Sequence, residues 1–154
     1  MIQVAIISDI HANIIALKEV LHDIDRRNIS QIYCLGDLVD FAPWGNQVIA
    51  LMKERGIPCL LGNHDERIAF DLPIVPLPHH NDIETHNRIN AINHSKDHIT
   101  LDNKKWLSSL PYHMELTFKL KNSVRKILLV HASLISNDHY IYESDPKTEM
   151  LKHL

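Results

Sequence analysis

Glycine is scarce in this sequence, with 4 residues in 154. None stands in a Gly-rich phosphate loop, so a generic doubly wound nucleotide binder is poorly supported. Cysteine is scarcer still. Cys34 and Cys59 lie in apolar stretches and read as two buried free thiols in a reducing cytosol. No apolar run approaches membrane-spanning length. The apolar start, residues 1–7, lacks a charged n-region and a cleavage site, and so reads as a strand rather than a signal peptide. Basic runs are missing too, which argues against a long nucleic acid as partner without excluding a nucleotide. These absences predict a cytoplasmic protein with no membrane partner.

What is present fits one domain over residues 1–154. Apolar residues make up 45%, enough for a core, and the formal net charge is -3. Histidine is frequent at 12 residues, which matters only where particular histidines fall at particular places.

Residues 2–7, apolar and rich in β-branched side chains apart from Gln3, read as a strand covered on both faces. Ile14, Leu17, Leu21 and Ile24, with Val20 beside them, recur at helical spacing, and Asn13 suits the N-cap. A second strand is expected at 31–35 and a second helix around Val48–Met52, ended by Gly56. A third strand is expected at 57–61, despite Pro58. This β-α-β-α-β order predicts a parallel sheet. Further on, Asn81 with Glu84 resembles a capping pair opening a polar helix to about Ile99, and Thr100 can cap a short helix. Alternation from Met114 to Leu120, a turn at Asn122-Ser123 and an apolar run at 124–130 predict an antiparallel hairpin. Residues 145–154 read as the start of a helix.

Each early strand ends in a polar cluster, and ligands of open α/β sheets bind beyond such ends. Asp9 and His11 form Asp-x-His; in an extended segment both side chains would reach one ion. A chance Asp-x-His is common. Gly36-Asp37-x-x-Asp40 follows the second strand. Asp37 suits a carboxylate bridging two cations, Asp40 suits an orienting role, and an aspartate-stabilised turn is the bland alternative. Gly62-Asn63-His64-Asp65 is the most specific cluster. Asn63 offers a carbonyl oxygen to a cation, His64 is free to face substrate, and Asp65 can fix the imidazole tautomer; a plain helix N-cap is the alternative. His131 ends the run at 127–130, and alone would read as structural.

In their order these four clusters resemble the calcineurin-like metallophosphoesterase superfamily. Ser8-Asp9-Ile10-His11-Ala12-Asn13, Leu35-Gly36-Asp37-Leu38-Val39 and Val130-His131-Ala132-Ser133 are similar to its small bacterial branch, with Ala12 where that branch usually has glycine. The resemblance runs from residue 1 to about residue 133. It implies an α/β fold, a metallophosphoesterase-type β-sandwich flanked by helices. It also implies two divalent metal ions (manganese, iron, zinc or nickel) and a small phosphate-ester substrate, monoester or diester. Asp9 and His11 would bind the first metal, Asp37 would bridge, and Asn63 and His131 would bind the second. A bridging water, acidified by both cations, would attack phosphorus. His64 would protonate the leaving alkoxide or steady the transition state, with Asp65 behind it.

The family normally carries one more motif, Gly-His-x-His, which this sequence lacks. The sandwich is therefore expected to be incomplete at its C-terminal end, with two imidazole ligands fewer and an uncovered hairpin. A fragment, an inactive truncation and a homo-oligomer covering the sheet edge are the three readings. The rival functions are a nuclease and a non-catalytic binding or scaffold module.

Overall fold

The computed structural model describes residues 2–143. Strands β1 (Val4–Ile7) and β2 (Gln31–Cys34) pair in parallel, from Val4 opposite Gln31 to Ile7 opposite Cys34. Helix α1 (Ile14–Arg26) makes the crossover. Asn13 caps it by accepting the Ala16 amide, and Leu17, Leu21 and Ile24 are buried. Val20 falls off that face and is exposed. Helix α2 (Gly45–Glu54) buries Val48, Ile49 and Met52. It stops before Gly56, whose φ of +59° is left-handed.

The third expected strand is reduced to one bridge, Cys34 opposite Cys59. The segment does run parallel to β2, with the Cys34 amide donating to Pro58 and the Leu60 amide to Cys34. The ladder ends there for a local reason. Pro58 has no N–H, and the next amide on the β2 side, Gly62, donates instead to Asp65 Oδ2. Cys34 and Cys59 are free and buried, as expected. Hydrogen bonding to Cys34 and then burial push the Cys59 thiol upward, so it stays protonated and inert.

Helix α3 (Asn63–Ala69) leaves this segment directly. Helix α4 (Asp82–His98) opens with the capping box at Asn81 and Glu84, and α5 (Leu101–Ser108) is capped by Thr100. Ile68, Ile92 and Leu107 tie these helices to the core around Val48, Ile49 and Met52. Among the described residues no helix is long and apolar enough to cross a membrane.

The hairpin forms as predicted from β3 (His113–Leu120) and β4 (Ser123–Val130), a second and antiparallel sheet. Burial alternates along β3, while Val124, Ile127 and Leu128 of β4 stay exposed. Met114, Leu116 and Phe118 are half-buried on one face of the hairpin, where Ile127 is exposed, and Val124 and Leu128 are exposed on the other. The helix expected from residue 145 lies outside the described residues.

Candidate active site

The site begins where β1 and β2 end. The chain does not stay extended through Asp9 and His11, contrary to the expectation. Asp9, His11, Ala12 and Asp37 are all left-handed, with φ of 54, 47, 58 and 54°. The cause is a second zipper beyond the strands. The amides of Asp9, His11 and Ala12 donate to the carbonyls of Gly36, Asp37 and Leu38 at 3.1, 2.9 and 2.8 Å. Three bonds hold backbone that is otherwise unfavourable by roughly 1–2 kcal/mol per residue. A left-handed φ at Ala12 also gives the physical reason for glycine at that position in the branch this segment resembles.

Two glycines let the strand ends touch. Gly36 has φ +110°, and a Cβ there would stand 2.5 Å from the Gly62 nitrogen. A Cβ on Gly62 would collide with the Asp37 amide and carboxylate. Gly62→Ala is therefore expected to displace Asp37. Overpacking of this kind costs about 1–3 kcal/mol. Denaturant unfolding should show the loss, and divalent-ion titration should show weakened binding in the protein that remains folded.

The five residues expected to be ligands converge. Asp9, Asp37 and His131 offer atoms within 4.8 Å of one another. His11 Nε2 lies 3.9 Å from Asp9 Oδ1 and 3.8 Å from Asp37 Oδ2. His131 Nε2 lies 3.6 Å from the same Asp37 oxygen and 3.0 Å from Asn63 Oδ1. Asp37 is buried while Asp9 is exposed, so the centre is open on one side.

This donor set fits divalent cations on three counts. First, Asp37 Oδ2 sits between two ring nitrogens at separations longer than a hydrogen bond. Second, both histidines turn Nδ1 to a backbone carbonyl: His11 to Val39 at 3.3 Å and His131 to Leu35 at 3.0 Å. That fixes the tautomer with a lone pair on Nε2, the usual support of a metal-binding histidine. Third, with Nδ1–H given to Leu35, His131 Nε2 faces Asn63 Oδ1 lone pair to lone pair at 3.0 Å. A cation shared by the two turns that repulsion into attraction.

His64 and Asp65 are not paired as expected. The His64 imidazole meets Asp40, with Nδ1 2.8 Å from Oδ2. Asp40 is fully buried. Burial pushes its carboxyl up, but His64, the Phe41 amide and Arg67 together outweigh this and hold it below the ordinary aspartate value. Asp65 faces away and gathers backbone. Its Oδ1 accepts the Leu38 and Val39 amides at 2.8 and 3.1 Å, and its Oδ2 accepts the Gly62 amide at 3.1 Å. Burial, then the charge on Asp37, push its carboxyl up to about 8 against those three donors. The reason for the exchange is helical geometry. Asp65 follows His64 directly, and adjacent helical residues point in different directions.

The centre opens into a cleft of about 1440 Å³ that reaches α3, α4 and the hairpin. Two of its residues went unnoticed in the sequence. Arg67 lies one turn beyond His64 and approaches both His64 Nδ1, at 3.2 Å, and Asp40, at 3.7 Å. The i,i+3 spacing within α3 was the available signal. Phe41, left-handed and exposed, packs its ring 4.6 Å from His11 and 5.0 Å from His64. No sequence signal marks it.

Fold and site together define an α/β protein with an Asp, His and Asn donor cluster beyond its strand ends. Residues 2–153 match the family model described as calcineurin-like phosphoesterase, and the chain belongs to that family. It is 33% identical over 132 residues to an uncharacterised protein of Methanocaldococcus jannaschii, a match taking in 84% of this chain and 49% of that protein. The chain thus spans about half the length of the curated relative it matches. The fold is similar to that of a metallophosphoesterase from Sphaerobacter thermophilus (TM-score 0.67, 24% identity, 98% of this chain and 56% of that one). It is also similar to a protein of Pyrococcus horikoshii (TM-score 0.72, 20% identity, 99% and 65%). These likenesses agree with the α/β metallophosphoesterase-type fold expected from the sequence.

Proposed function

We propose that this chain carries the centre of a metal-dependent phosphoesterase acting on a phosphomonoester or phosphodiester. The observation that carries the reading is the position of Asp37 Oδ2 between His11 Nε2 and His131 Nε2, with Asp9 and Asn63 alongside. Two divalent cations suit this set, with Asp9 and His11 holding one, Asn63 and His131 the other, and Asp37 between them. Bound there, such cations supply Lewis acidity towards phosphate oxygens and the attacking water. Oxygen and imidazole donors suit manganese, iron, zinc or nickel.

The remaining steps belong to side chains. His64 lines the cleft with Nδ1 engaged by Asp40, which leaves Nε2 to hold the proton that the departing alkoxide needs. Asp40 orients that ring, the role the sequence reading gave to Asp65. The oriented ring, the donor cluster and the family membership together support an enzyme over a binding module.

The test is turnover of a chromogenic phosphate ester by the purified chain with manganese, beside His64→Ala. Removal of a positioned acid typically costs about 10²–10⁴-fold in rate. Manganese-dependent turnover that falls by that order in the variant supports the reading. A folded chain that binds manganese but turns nothing over would point instead to a phosphate-binding module.

A further inference from the structure

The cleft that holds the donor cluster also carries charge of the opposite sign. Arg67 from α3 and Arg88 from α4 both line it, together with His80 and Asn87. Neither guanidinium is consumed by a close carboxylate partner. Arg67 reaches Asp40 only at 3.7 Å, and that carboxylate is already engaged by His64 at 2.8 Å. Arg88 donates from one nitrogen to the Val75 carbonyl at 3.0 Å, which anchors the side chain and leaves the rest of the fork unassigned. Burial, then the charge of Arg67, lower the Arg88 pKa, so the two cations, which line the same cleft, act on one another. His80 Nδ1 is buried without a hydrogen-bond partner, so the cleft keeps unspent polar capacity.

The acidic groups lining the cleft are Asp9, Asp37, Glu66, Glu84 and Asp138. Asp9 and Asp37 belong to the donor cluster. Glu66 accepts from Tyr112 Oη at 2.8 Å, Glu84 closes the α4 capping box, and Asp138 accepts from Ser136 at 2.7 Å. Each is committed elsewhere. Two partly buried arginines in one cleft, repelling each other, are what an anion with several oxygens would relieve, and the planar fork suits phosphate in particular.

We infer that Arg67 and Arg88 form an anion subsite, and that the substrate of the proposed phosphoesterase carries a second anionic group beyond the reacting phosphate, as a nucleoside diphosphate does. This rests on the functional reading above, but the subsite itself is tested separately from turnover. Arg88 is the residue to change, because Arg67 also touches His64.

The experiment has two arms. In the first, adenosine diphosphate and adenosine monophosphate are titrated into metal-free protein by calorimetry, wild type beside Arg88→Gln. The wild type should favour the diphosphate, and the variant should lose about tenfold of that preference, in line with one charge-assisted contact. No preference in the wild type, or one the variant leaves intact, overturns the subsite. In the second arm, phosphate release from the same two nucleotides is followed with manganese. The ratio of kcat/KM for diphosphate over monophosphate should fall about tenfold in the variant, mainly through KM. An unchanged ratio overturns the substrate class. Absence of turnover of both nucleotides alongside a selective binding loss would overturn the substrate class and leave the subsite standing, while the chromogenic ester assay above tests the hydrolase reading itself.

Discussion

Asp37→Asn is expected to lower divalent-ion affinity and phosphoester hydrolysis by on the order of 100-fold or more each, while the protein stays folded. The substitution is nearly isosteric. Its carbonyl oxygen can still accept the His64 amide, which Asp37 Oδ1 takes at 2.9 Å and which ties β2 to the start of α3. What disappears is the negative charge between His11 and His131. An amide nitrogen in place of Oδ2 would carry hydrogens where those rings present lone pairs, so it could not bridge cations. Changing Asp9 instead should cost less, because that carboxylate is mostly exposed and stands at the rim. Manganese titration beside circular dichroism separates loss of ligand from loss of fold. An Asp37→Asn protein that binds manganese as tightly as the wild type would remove the centre from consideration.

The second large effect concerns stability. Asp65→Ala should destabilise the chain by about 3–5 kcal/mol, because it leaves the Gly62, Leu38 and Val39 amides buried without acceptors at about 1–3 kcal/mol each. Part of that cost is offset. The carboxyl is itself unfavourably placed, pushed up to about 8 by burial and by Asp37. Asp65→Asn should be milder, since its carbonyl keeps the Leu38 and Val39 amides while its NH₂ faces the Gly62 donor. Stabilities of small domains are about 5–15 kcal/mol, so the alanine variant should lose a large fraction of its own. Urea unfolding midpoints give the order directly. Should Asp65→Ala unfold like the wild type but fail in catalysis, Asp65 would act on the chemistry and not on the backbone.

These two aspartates show how much the sequence determined and where it stopped. Residue type, spacing and the order of the four clusters, which carried the family resemblance, were enough to pick out the residues that converge. Asp9, His11, Asp37, Asn63 and His131 each follow an apolar run, and strands laid side by side bring their ends together. Periodicity likewise gave α1, the capping box of α4 and the hairpin, because these depend on contacts within a few residues.

Only the tertiary structure decided which carboxylate holds which group. Neighbours in sequence suggested Asp65 for His64, yet Asp40, 24 positions earlier, takes the imidazole. Asp65 instead fastens the loop after β2 to the start of α3. The left-handed turn through Asp9 and Ala12 was hidden for the same reason, since it depends on carbonyls of Gly36, Asp37 and Leu38 more than twenty residues away. The third strand shrank to one bridge because its next β2-facing amide, that of Gly62, found the Asp65 carboxylate. Local sequence fixes which groups a segment can offer; which partner each one takes depends on segments brought close only by folding.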